Sequence, residues 1–138
     1  NVTAALILAQ VERIDELIGK KRKIYDWYHE FLQDCPYIKL LHMKEAWESN
    51  YCYVVGYLSE ECNISRDALL ENLLIKKVHA RPGYPSMSAM PNYERRFPVP
   101  CSEKYWKQGI VFPTALNLTK EDIQFVCSEV KKLIKTMG

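Results

Sequence analysis

Apolar residues open the chain at helical spacing. Ile7, Val11, Ile14 and Ile18 step by four, three and four, which puts one stripe on one face of an α-helix. Ile24, Trp27, Tyr28 and Phe31 carry the stripe onward. The pattern predicts one long helix, capped by Thr3 and running to about Gln33, with a bend at Gly19, where glycine costs about 1 kcal/mol relative to alanine. Asp34, Cys35 and Pro36 end it, since proline cannot continue a helix.

The period then changes from helical to two. In "NYCYVVGYL", Tyr51, Tyr53, Val55 and Tyr57 alternate with Cys52, Val54, Gly56 and Leu58, which predicts a strand over Asn50–Leu58. Gly56 in its middle marks a bulge or a close backbone neighbour. Ser65 reads as an N-cap, with Asp67 near the positive end of a short helix through Leu74. A strand is expected at Val78–Arg81. Pro100 suits the first turn of a further helix, "CSEKYWKQ", stopped by Gly109, and Ile110–Pro113 is a short strand. Thr119 and Asp122 have capping-box spacing before a helix that gathers Ile123, Val126, Cys127, Val130, Leu133 and Ile134 on one face. Short strands alternating with helices give an α/β (α+β) fold, a two-layer sandwich whose small sheet is packed by the long first helix and by others. Strand direction stays open at this stage.

Composition narrows the function classes. A chain of 138 residues with 48% hydrophobic residues suffices for one domain with a core, residues 1–138. Its formal charge of +2, with acids interleaved among the bases, argues against a nucleic-acid surface. The basic run Lys20–Lys23 falls inside the helical pattern and reads as a solvated face. No run approaches the roughly 20 apolar residues of a membrane span, and no segment has the order of a signal peptide. Cys35, Cys52, Cys62, Cys101 and Cys127 lack CxxC or zinc-ligand spacing, so no metal site is expected. They read as reduced, mostly buried thiols of a cytoplasmic protein. Asn1, Asn63 and Asn117 head chance glycosylation sequons. The chain opens already in helical rhythm, which raises the expectation of a piece of a longer protein.

Little in the chain looks catalytic. His29, His42 and His79 are scattered, and Glu45, Trp47 and Glu48 read as a turn. The unusual stretch is "HARPGYPSMSAMP", His79–Pro91, stiff with proline and carrying one arginine. Arg81 ends a predicted strand and precedes a proline that forces extended backbone. A guanidinium held in that way suits two-point contact with a carboxylate or phosphate, while a local ion pair is the plainer alternative. Tyr84, Ser88 and Tyr93 offer hydroxyls from the same loop, and Met87 and Met90 read as core plugs. Stiff, partly polar loops on a rigid scaffold are often binding loops.

Four stretches in register carry a family resemblance. "AALILAQVERIDELIGKKRKIYDWYHEFL" resembles the helix that opens the C-terminal domain of sugar aminotransferases of the DegT/DnrJ/StrS type. "ESNYCYVV" is similar to that family's next strand, "ARPGYPSMSAMP" to its "TRPxxxPLHxQP" loop, and the stretch from "VPCSEKYW" to "VKKLI" to its closing segment. The resemblance covers essentially the whole chain. It implies the small C-terminal domain of the aspartate-aminotransferase fold, fold type I, in a homodimer whose active sites lie at the interface. It further implies a pyridoxal-phosphate enzyme that moves an amino group, usually from glutamate, onto a nucleotide-linked keto sugar.

On that resemblance the loop lines the sugar-nucleotide side of the active site, with Arg81 at its base. Tyr84, Ser88, Tyr93, Asn50 and Tyr51 are the further candidate substrate-side residues. Two positions depart from the family pattern: Ser88 stands where a histidine is frequent, and Lys77 where glycine is usual. The large domain, with the lysine that holds the cofactor, would lie upstream. No lysine of this chain matches that motif, so neither a catalytic nor a cofactor-binding residue is assigned, and the chain alone is expected to be inactive. A sugar dehydratase of the same fold, with histidine in place of that lysine, is one alternative. A free-standing α/β interaction module is the other.

Overall fold

A computed structural model describes residues 1–42, 48–94 and 96–137. The predicted first helix is two helices, α1 (Val2–Val11) and α2 (Ile14–Leu32). The interruption falls at Glu12 and Arg13 and not at Gly19, which is helical and has open space around it. No residue of α1 is buried. The apolar stripe enters the core only from Ile24 onward, through Tyr28 and Leu32.

After α2 the chain turns into β1 (Ile38–Leu40), a strand too short to show a period in the sequence. The expected strand over Asn50–Leu58 is regular only as β2 (Val54–Leu58). Its first residues are excluded from the ladder by Tyr51, whose φ of 50° is left-handed. Helix α3 (Arg66–Ile75) follows, with Ser65 Oγ accepting from the Ala68 N–H as its cap. The expected strand at Val78–Arg81 is displaced to β3 (Arg81–Pro82), and a single 3-10 turn occupies Met87–Ala89. Helix α4 (Pro100–Gln108) begins on proline as predicted. It runs into β4 (Gly109–Phe112), and α5 (Lys120–Met137) closes the chain. Asp122 accepts from both the backbone N–H and the hydroxyl of Thr119, while its own N–H donates to Thr119 Oγ1, so the capping box is closed.

The strands form one antiparallel sheet in the order β1-β2-β4-β3. Proline in β3 is tolerated because that strand lies at the edge. One face of the sheet carries Ile38, Val54, Leu58, Ile110 and Phe112 into a core shared with α2, α3 and α5. Tyr28 stacks on Phe112 with ring centroids 5.2 Å apart, and its hydroxyl donates to the Pro113 carbonyl at 3.0 Å. Of the face expected on α5, Ile123, Val126, Cys127, Val130 and Ile134 are buried and Leu133 is half-buried. The architecture is the two-layer α/β sandwich, with α4 added on the far side of β2, where Tyr105 meets Tyr57 edge-on at 5.4 Å.

Two expectations change. The cysteines are all free, but only Cys127 is buried, while Cys52 and Cys101 are exposed. Their small side chains follow the local backbone rather than a shared preference for the interior. Met87 is not a core plug, being 57% exposed. The turn expected around Glu45 and Trp47 lies outside the described residues. Among those described, no group of metal-ligating side chains occurs, and no helix is long and apolar enough to cross a membrane.

Candidate functional site

The sheet's second face positions Arg81. The register sets Arg81 opposite Val111, and Val111 opposite Val55, so the three side chains leave the sheet on the side away from the core. The guanidinium is exposed, and among the described residues Arg81 makes no ion pair. The local pairing weighed as its plain alternative is therefore not found there. Beside it, the rings of Tyr53 and Tyr84 meet edge-on with centroids 6.0 Å apart. On the same face, Leu41, Val55, Gly56, Tyr57, Tyr105 and Gly109 line an apolar cavity of about 290 Å3.

The loop that follows Arg81 is tethered at two points. Gly83 donates its N–H to the Gly109 carbonyl at 2.8 Å, so close that a Cβ on Gly83 would stand 3.2 Å from Gly109 Cα. Further on, Ser86 is buried and its hydroxyl lies 2.7 Å from Ser88 Oγ, while Ser102 of α4 donates to it at 3.2 Å. The Ser88 hydroxyl thus faces its loop neighbour. Tyr84 and Tyr93 are exposed, and the Tyr93 N–H donates to the Met90 carbonyl.

Asn50 and Tyr51 sit at a separate corner before β2. Asn50 Oδ1 accepts from the Cys52 N–H at 3.0 Å, and Ser49 Oγ from the Tyr51 N–H at 3.1 Å. These two turns hold Tyr51 in its left-handed conformation. The Tyr51 ring packs at 5.2 Å against Tyr25 of α2, with the Arg22 guanidinium 5.5 Å from its centroid. Tyr25 in turn has its hydroxyl 3.1 Å from His42 Nδ1. The structure thus brings Tyr84 against Tyr53, with the Arg81 charge acting on the same phenol, and places Asn50 and Tyr51 at a separate corner. Tyr53 was missed by the sequence reading. Its only signal was membership of the alternating tyrosines.

The described lysines do not fit a cofactor that needs a lysine amine held in a pocket. Lys21 and Lys131 are the half-buried lysines among the described residues, and they are engaged with Thr114 and Asp34. Lys20, Lys104 and Lys120 pair with exposed acids, and the exposed Lys132 with the buried Glu129. No chemical step is derived through such a group from this chain.

The fold now has its parallel among known proteins. The sequence profile of the DegT/DnrJ/EryC1/StrS aminotransferase family matches residues 1–131. The chain belongs to that family. Among curated family relatives, GDP-perosamine synthase from Vibrio cholerae is 29% identical over 95% of this chain, which spans 36% of that protein. The chain therefore spans about a third of the length of the relatives it matches. Two solved structures share the fold at a TM-score of 0.84. DesI in the presence of its TDP-sugar product is 24% identical and is matched over 92% of this chain and 33% of its own. Helicobacter pylori PseC, an aminotransferase involved in the biosynthesis of pseudoaminic acid, is 21% identical and is matched over 94% of this chain and 36% of its own. The family's fold and the expected architecture of this chain agree.

Proposed function

We propose that this chain is the C-terminal small domain of a longer, pyridoxal-phosphate-dependent aminotransferase that moves an amino group from glutamate onto a nucleotide-linked keto sugar. The observation that carries the reading is the family match over nearly the whole chain, combined with relatives about three times its length. The missing large domain would supply the cofactor's lysine and its phosphate cradle. This chain would supply the substrate side: Arg81 and Tyr84 to bind, Asn50 and Tyr51 to shape the entrance, and Ser88 and Tyr93 along the loop. The whole enzyme is expected to be a cytoplasmic homodimer, in keeping with the free thiols. The chain alone is expected to lack activity.

The test is glutamate conversion to 2-oxoglutarate by the full-length protein, made dependent on a GDP- or TDP-linked keto sugar. Amino sugar formed in equal amount supports the reading. Loss of a sugar oxygen without net amino transfer selects the dehydratase alternative instead, which fold likeness does not separate from amino transfer. The family description favours amino transfer. A free-standing interaction module is disfavoured by the length of the relatives.

A further inference from the structure

The Tyr53 and Tyr84 rings meet edge-on, and Arg81 is near enough for its charge to act on the Tyr53 phenol. Tyr53 lies two residues before Val55, just outside β2, and its ring contact with Tyr84 shows which way it faces. The backbone on each side is pinned. Thr114 Oγ1 donates to the Cys52 carbonyl at 3.0 Å next to Tyr53, and the Gly83 N–H holds the loop next to Tyr84. Both phenols reach solvent, at 46% and 68% exposure.

Resting on the reading above, we infer that Arg81, Tyr53 and Tyr84 form one oxyanion-binding cluster, in which Tyr53 is a substrate-binding residue. The three side chains present a two-point guanidinium fork and two phenol donors, with no carboxylate of the described residues paired to them. That set recognises a phosphate or a carboxylate. The neighbouring Tyr84 phenol raises the Tyr53 pKa, and the Arg81 charge opposes the shift. Tyr53 therefore stays protonated, and a donor, at neutral pH. Two sources of the anion fit the cluster: the diphosphate of a nucleotide sugar and the carboxylate of an amino donor.

The experiment measures dissociation constants of GDP and of glutarate by calorimetry on the full-length enzyme, comparing wild type, Tyr53→Phe and Arg81→Lys. Phenylalanine keeps the ring contact and removes only the donor. Loss of one hydrogen bond to a charged group predicts at least about tenfold weaker binding of one or both probes. Weaker GDP binding identifies the phosphate and weaker glutarate binding the carboxylate, and either supports the cluster. If Tyr53→Phe binds both probes like wild type while Arg81→Lys weakens one, the inference about Tyr53 is overturned and the site reading stands. If both variants behave as wild type, or wild type binds neither probe, both fall.

Discussion

Val78 donates its backbone N–H to the carbonyl of Leu73 at 2.9 Å, reaching back over the end of α3. Lys77, between them, donates to Leu74 at 2.9 Å and has a φ of 62°. The pair of bonds is a Schellman cap, and Val78 and Leu73 are both buried beneath it. A lysine in a left-handed conformation crowds its Cβ against the following carbonyl, which costs about 1–2 kcal/mol. Glycine escapes that cost but gives back part of it as freedom in the unfolded chain. Lys77→Gly is therefore expected to stabilise the domain by about 0.5–1 kcal/mol. A higher urea midpoint at unchanged slope would show it, and a lower one would refute it.

Two glycines tolerate a methyl group unequally. A Cβ on Gly109 would lie 2.7 Å from the Tyr105 carbonyl oxygen, a backbone atom held in α4. On Gly56 it would lie 3.0 Å from Phe112 Cε2 and 3.3 Å from Leu40 Cδ2, both side-chain ends. Gly109→Ala should cost about 2–3 kcal/mol and Gly56→Ala about 1 kcal/mol, since side chains move aside more readily than backbone. Thermal melts of the two variants give the order, and equal losses would contradict it.

The start of α2 should respond to acid. Glu16 is held down at about 2, from an ordinary 4.5, first by its hydrogen bond to Arg13 and then by Lys20. Because the folded value is depressed, the contribution is present above about 4.5 and is lost as the pH falls through about 2. Helicity should decline in that window, and Glu16→Gln should flatten the decline. The pairs are exposed, so added salt should also shrink the effect.

Helix α1 should make the isolated chain sticky. Val2, Leu6, Ile7, Leu8, Val11 and Ile14 are all between 46% and 79% exposed, and bare apolar surface of this kind drives association. Sedimentation should show self-association that strengthens with concentration. Leu6→Glu with Val11→Glu should reduce it while moving stability by no more than about 0.5 kcal/mol, because neither residue packs on the core. A monomeric wild type at high concentration would overturn this expectation.

Much of the frame was legible because its signals are local. Ser65, Pro100 and the Thr119–Asp122 pair each satisfy backbone groups within a few residues, so spacing alone located them. The break at Glu12 and Arg13 gave no such signal: both are good helix formers, and the apolar stripe runs straight across them. Nor did the alternation in "NYCYVV" show that Tyr51 leaves the ladder, since the cause is a pair of side-chain turns from Ser49 and Asn50. At the candidate site, the proline after Arg81 flagged the arginine. Tyr53 stayed hidden because its neighbour Tyr84 is close only in space. Antiparallel pairing likewise depends on which strands meet, which no single strand records.

The order β1-β2-β4-β3 also sets a timetable for synthesis. Strand β4 is the last to be made, yet it sits inside the sheet, pairing Val54 with Phe112 on one side and Arg81 with Val111 on the other. As the chain leaves the ribosome, β1 and β2 can meet early, but β2 keeps an open apolar edge until Gly109–Phe112 emerges. Such long-range closure is slow, and it leaves a strand edge free to pair with another nascent chain. A stall in translation before Gly109 would thus hold the protein at its most aggregation-prone stage, with Val54 and Val55 waiting for a neighbour not yet built.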